Sequence, residues 1–228
     1  MTHAGLSRVW ATVLTAMLAA ILLSVAAFTT GAGAQEVGCT GQVVLDPGHG
    51  GTDSGAVNTR YGLTEKEQNL DVAKRLETLL EGDGYTVCMT RTEGEDPTLS
   101  NNDRYTYANA TGARVLVSIH MNGSTNTSDD YTTTLFGKWR KDKELATTVF
   151  NSLSTLPAAS GTGTIARRTP YSFASGVLLK SEMPATIAET VFITNDREGQ
   201  LLSDGTGTRQ QQIAQALRVG IENYLRTH

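Results

Sequence analysis

Apolar positions fall into two recurrent patterns after residue 40. Short continuous or alternating runs mark strands: Gln42–Leu45, Tyr85–Thr90, Val115–Ile119, a threonine-rich edge strand over Tyr131–Gly137, Val177–Leu179 and Ala185–Ile193. Helical spacing appears in Leu70, Ala73, Leu76 and Leu80, a stretch that stops at Gly82 and Gly84. Thr64-Glu65-Lys66-Glu67 reads as a capping box at its start. Ser100 is placed to cap a short helix containing Arg104 and Ala108, and Glu144–Leu153 reads as a further helix. Thr208-x-x-Gln211 reads as a second capping box, opening a helix with Ile213, Leu217, Ile221 and Leu225 on one side. The connecting stretches are a Gly-rich loop running to Gly62, a polar segment Asn122–Asp130 and a small-residue loop Ala158–Thr164. Strands alternating with helices predict a single α/β domain: a mixed, mostly parallel twisted sheet of about six strands flanked by helices.

The N-terminal pattern is different. Arg8 precedes an almost unbroken apolar run, Val9–Phe28, and Ala32-Gly33-Ala34 stands before Gln35. This predicts a signal peptide over residues 1–34, a mature domain over 35–228, and no stable membrane anchor after cleavage. A retained membrane span is the rival reading. Cys39 lacks the apolar residue upstream that a lipoprotein signal requires. Export to the periplasm, cell envelope or medium makes a Cys39–Cys88 disulfide the expected state of the two cysteines, against two buried free thiols. The formal net charge is −4, which argues against nucleic acid as a partner. No repeat or second module stands out, and a monomer is expected.

Candidate chemistry centres on Val43-Val-Leu-Asp-Pro-Gly-His-Gly-Gly-Thr-Asp53. An apolar run enters a Pro-Gly turn that presents His49, where an open α/β sheet places its ligands. Of the 4 histidines, His3 lies in the leader and His228 is terminal, leaving His49 and His120 just past two buried strands. If those strands are parallel neighbours, the imidazoles share a crevice and suit Zn²⁺. A catalytic zinc usually has three protein ligands; Glu65, in the first turn of the following helix, is the best third. A first-turn acid is also favoured by the helix dipole alone, and Asp46 and Asp53 are alternatives, as ligands or as groups orienting His49. Glu189 interrupts an otherwise apolar strand, a costly position unless it is paired or near a cation. Beside a metal it would serve as general base.

Four separated motifs then carry a family resemblance: Val43–Gly55, Glu65-Lys66-x-x-Asn69-Leu70, Ser118-Ile119-His120-Met121-Asn122, and Pro184-Ala185-x-x-x-Glu189-x-x-Phe192-Ile193-x-Asn195. Together they resemble the zinc-dependent N-acetylmuramoyl-L-alanine amidases of the type-3 catalytic domain, bacterial cell-wall hydrolases, over nearly the whole mature chain. The resemblance implies a single zinc ion held by His49, Glu65 and His120, with Glu189 as catalytic glutamate. It implies hydrolysis of the amide between N-acetylmuramic acid and L-alanine of the peptidoglycan stem, in remodelling, turnover or cell separation. Peptidoglycan or muropeptide fragments would be the partners. Two alternatives stay open: an inactive wall-binding or regulatory domain of the same fold, and a zinc peptidase cutting within the stem. Three positions depart from the family pattern. Val191 stands for a usual Gly and is expected to crowd the site, Met121 for a usual Ala, and Arg114 for a usual Asp. The interval Asn122–Ser175, where some relatives insert a blocking helix, is modest, and its one helical candidate, Glu144–Leu153, reads as part of the core fold, so no blocking helix is expected. Lys138, Arg140, Lys141 and Lys143, and the pair Arg167-Arg168, read either as solvated faces or as contacts for anionic stem carboxylates or wall polymers.

Overall fold

The computed structural model describes residues 39–94 and 96–228. The expected leader lies outside these residues. In chain order the elements are β1 (Val43–Pro47), β2 (Val57–Asn58), β3 (Leu63–Thr64), α1 (Glu65–Gly82), β4 (Val87–Met89), α2 (Asn101–Thr111), β5 (Val115–Asn122) and β6 (Tyr131–Phe136). They continue with α3 (Trp139–Leu153), β7 (Ala166–Arg167), β8 (Tyr171–Ser172), α4 (Gly176–Lys180), β9 (Ala185–Phe192), α5 (Asp196–Leu202) and α6 (Thr208–Leu225).

A seven-stranded sheet runs β4-β1-β5-β9-β6, with β7 and β8 both on the outer edge of β6. β4, β1, β5 and β9 are parallel, and β6 is antiparallel to β9. The chain leaves β1 towards β4 through α1 and returns past β1 to β5 through α2. Right-handed crossovers in opposite directions put those two helices on opposite faces. Strand alternation divides the core accordingly. Val43, Leu45, Val115, Val117 and Ile119 face a cluster containing Leu76 and Leu80 of α1, Val149 and Leu153 of α3, and Ile213 and Leu217 of α6. Val44, Leu116, Ala185 and Ile187 face a smaller cluster with Ala108 of α2 and Leu178 of α4. Each fully buried aliphatic side chain contributes roughly 1.5–3 kcal/mol. The smaller cluster leaves the upper part of its sheet face uncovered, and the site lies there.

Several local expectations are corrected. Val177–Leu179 is not a strand; it lies in α4, and three apolar residues carry too little periodicity to distinguish the two. The missing strand is replaced by β7 and β8, whose residues are all exposed and leave no apolar pattern. α5 has no apolar stripe to announce it and is set by its cap: the Asn195 side chain accepts from the amides of Arg197 and Glu198. α3 begins at Trp139 rather than Glu144, and the buried Asp142 accepts from the amides of Gly137 and Lys138 at 3.2 and 2.7 Å. Neither threonine forms its capping box. The Thr64 hydroxyl donates to the Glu67 carboxylate at 2.7 Å instead of capping an amide, and the cap of α6 is Gly207, with Thr208 inside the helix. Ser100 does form a box, with Asp103. β5 extends to Asn122, so His120 sits within the strand rather than past it. Cys39 and Cys88 are joined in a disulfide, Cα–Cα 5.9 Å, which ties the start of the described chain to β4.

Candidate metal centre

β1 and β5 are adjacent and parallel, with Pro47 opposite Ile119, so the loop after β1 opens beside His120. The loops leaving these strands head in opposite directions, which opens a crevice between them. Close approach demands glycine here: a Cβ on Gly48 would stand 2.2 Å from the His120 ring. His49 itself has φ 61°, the one positive φ of a non-glycine residue among the described residues. That conformation costs roughly 1–3 kcal/mol and persists only where the surroundings impose it. Two buried arginines impose it. Arg91, just after β4, donates to the carbonyls of Pro47 and Gly48, each at 3.0 Å, and of Lys66 at 2.7 Å. Arg104, from α2, donates to the carbonyls of Pro47 and His49 at 3.1 and 2.8 Å. Arg104 is in turn fixed by the fully buried Asp46 at 2.6 Å, which also accepts from Thr90 and Ser118. Burial pushes the Asp46 carboxyl up, but Arg104 and the two hydroxyls more than offset it and hold it low.

Glu65 opens α1 and reaches between the two histidines. Its Oε2 stands 3.1 Å from His49 Nε2 and its Oε1 3.0 Å from His120 Nδ1. The amides of Ala56 and Met121 donate to the same carboxylate at 2.9 and 3.1 Å. The ligand atoms of His49, Glu65 and His120 lie within 4.8 Å of one another. The Asp53 carboxylate, 2.8 Å from His49 Nδ1, accepts a hydrogen bond from that nitrogen and leaves Nε2 facing Glu65 and His120. Of the alternatives, then, Asp53 orients His49 and Asp46 anchors the loop. Two neutral imidazoles and a carboxylate, one imidazole held by a second carboxylate, are the donor set that zinc takes in catalytic sites. A tetrahedral ion with bonds of about 2 Å spaces its donors about 3.3 Å apart, so the arrangement needs little contraction to close on one.

The groups of the constellation shift one another's proton affinities. The hydrogen bond to Glu65, with its charge and that of Asp53, raises the His49 pKa to about 9 against the pull of burial. Burial would lower His120, but Glu65 and Glu189 raise it. Burial would raise Glu65; the hydrogen bonds and charges of the two histidines overcome this and hold it well below the usual carboxylate range. Glu189 is pushed up by burial, against the attraction of His120. It is the register partner of His120 across β5 and β9 and faces the same cleft of about 440 Å³, lined also by His49, Asp53 and Tyr171.

A family model described as N-acetylmuramoyl-L-alanine amidase matches residues 43–223, which spans every residue of this constellation. The chain belongs to that family. Among relatives of this amidase domain, the N-acetylmuramoyl-L-alanine amidase LytC of Bacillus subtilis is 34% identical over 188 residues, 81% of this chain and 35% of that protein. The probable cell wall amidase LytH of Staphylococcus aureus is 32% identical over 183 residues, 80% of this chain and 57% of that protein. The chain thus spans only about a third to a little over half of these relatives. The crystal structure of an N-acetylmuramoyl-L-alanine amidase from Clostridium difficile 630 superposes with a TM-score of 0.72 and 32% identity, covering 81% of this chain and 96% of that one.

The departures from the amidase pattern fall away from the cleft. Val191 and Met121 are buried in the cluster under α1, α3 and α6, on the opposite sheet face. Val191 therefore does not crowd the site, because a β-bulge separates it from the face of Glu189. Arg114 donates to the carbonyl of Leu225 at the end of α6, at 3.0 Å. α3, the one helix of the interval Asn122–Ser175 that precedes Ser175, packs in that same remote cluster. Sequence reasoning missed Arg91, which gave no motif because its partners are carbonyls. It also missed Thr133, the register partner of Glu189, whose buried hydroxyl has no hydrogen-bond partner.

Proposed function

We propose that this amidase domain hydrolyses the amide between N-acetylmuramic acid and L-alanine of the peptidoglycan stem, using a zinc ion held by His49, Glu65 and His120. One observation carries the reading: three separated motifs converge as a His-Glu-His donor set, with Glu189 opposite His120 on the next strand. Bound there, zinc would supply Lewis acidity for the scissile carbonyl and lower the pKa of a water towards about 7.

The protein's own groups do the rest. Asp53 fixes the tautomer of His49. Glu189 sits where burial raises its proton affinity, suited to taking a proton from the attacking water and handing it to the departing L-alanine amine. Arg91 and Arg104 keep the His49 loop in its strained conformation, so ligand placement does not wait on substrate. The leader over 1–34 would export the domain to the cell envelope or beyond, where it would act as a monomer on exposed wall or muropeptide fragments.

Mass spectrometry of a digested muropeptide tests the reaction. Release of the intact stem with a free L-alanine amine is expected. Shortened stems still attached to muramic acid would mean a peptidase instead, and no cleavage by zinc-loaded protein would favour a binding domain.

A further inference from the structure

The cleft that holds Glu189 continues along β8 and the segment after it. Tyr171 and Phe173 line it together with Glu189, yet stay 39% and 48% exposed. Paired aromatics at the mouth of a polar cleft offer flat, rigid contact area to a ligand. Beside them stands Arg168. Its guanidinium lies 5.9 Å from the centre of the Tyr131 ring and 5.1 Å from that of Tyr171, and it donates to the Tyr131 hydroxyl at 3.2 Å. Among the described residues no carboxylate pairs with it, whereas the buried Arg104 and Arg209 each bind one. Tyr131 is placed on the cleft side by strand alternation: Tyr131, Thr133 and Leu135 share a face, Thr133 pairs with Glu189, and Leu135 lines the cleft.

We infer that Arg168, framed by Tyr131 and Tyr171, reads a free carboxylate on the peptide side of the scissile bond, with Phe173 as the adjoining apolar wall. The inference rests on the amidase reading for its substrate. The sugar side is excluded by chemistry. Once the lactyl carboxyl of muramic acid is in the amide it carries no charge, whereas the stem keeps carboxylates beyond L-alanine. A planar guanidinium held on two rings presents its free edge for a forked, charge-assisted contact.

The test compares N-acetylmuramoyl-L-alanyl-D-glutamate with its diamide counterpart, in which the α- and γ-carboxylates are both amides. Zinc-loaded wild type should prefer the carboxylate by about tenfold in kcat/KM, mostly through KM, the size of one charge-assisted hydrogen bond. In Arg168→Gln the preference should fall to about twofold or less while the amide substrate is cleaved as before. Arg168→Lys should keep part of the preference. Binding of both compounds to Glu189→Gln and to the Glu189→Gln, Arg168→Gln double variant, by calorimetry, gives a readout without turnover. Cleavage with no carboxylate preference, or a preference that survives Arg168→Gln, overturns the subsite and leaves the amidase reading intact. Carboxylate-selective binding that needs Arg168, with no cleavage by wild type, upholds the subsite and overturns the amidase reading.

Discussion

Without metal, His49 is protonated at pH 7, because Glu65 and Asp53 raise its pKa to about 9. An imidazolium cannot ligate, so zinc must displace that proton, and zinc affinity should rise with pH until about 9. Calorimetry in buffers of different ionisation enthalpy should register proton release on zinc binding at pH 7; none would mean that His49 is not a ligand. The same shifts set the stability of the metal-free domain. A raised His49 pKa stabilises the fold fully below the ordinary value of 6.5, and this is lost as pH climbs through about 9. A lowered Glu65 pKa stabilises above the ordinary value of 4.5, and this is lost as pH falls through the folded value. The melting temperature of metal-free protein should therefore drop between pH 7 and 9, while zinc-loaded protein holds. Asp53→Asn should weaken zinc about 10–100-fold with the fold intact, since Asp53 touches only His49 among the proposed ligands; unchanged affinity would remove its orienting role. At this scale the histidines and Glu189 were legible because each is a polar group set against an apolar run. Thr133 was not, because nothing in a threonine-rich strand distinguishes the one whose hydroxyl lacks a partner.

Among the elements, the β1–α1 loop depends on side chains from β4 and α2 that lie far away in sequence. Arg104→Met would leave Asp46 charged and unpaired at the bottom of the cleft, costing about 3–5 kcal/mol of unfolding free energy by chemical denaturation. The Arg104→Met, Asp46→Asn double variant should recover much of that, and non-recovery would show that the loop contacts of Arg104, not its ion pair, carry the loss. Gly48→Ala should abolish zinc binding, because the added methyl and the His120 ring claim the same space. The long strands and helices were readable from period alone, since their apolar faces meet the two core clusters. The short elements were not. α4, β7 and β8 contain so few residues that they take their form from their neighbours, and the Thr64 and Thr208 capping boxes failed because other side chains engaged both hydroxyls: Thr64 donates to the Glu67 carboxylate and Thr208 accepts from the Thr206 hydroxyl.

For the whole molecule, the order of motifs along the chain carried more than any single motif, because parallel crossovers deliver the ends of β1 and β5 and the first turn of α1 to one rim. The disulfide closes a separation of 49 residues and should stabilise by about 4 kcal/mol on the chain-entropy account. Reduction should lower the melting temperature without moving the site, and an unchanged value would count against the bridge in solution. The most direct test is the rate of N-acetylmuramoyl-L-alanine cleavage by wild type and Glu189→Gln at matched zinc content. The expected result is equal zinc in both, with kcat lower by about 10²–10⁴-fold in the variant. Wild-type rates from Glu189→Gln, or full activity from protein stripped of zinc, would contradict a zinc amidase built on His49, Glu65, His120 and Glu189.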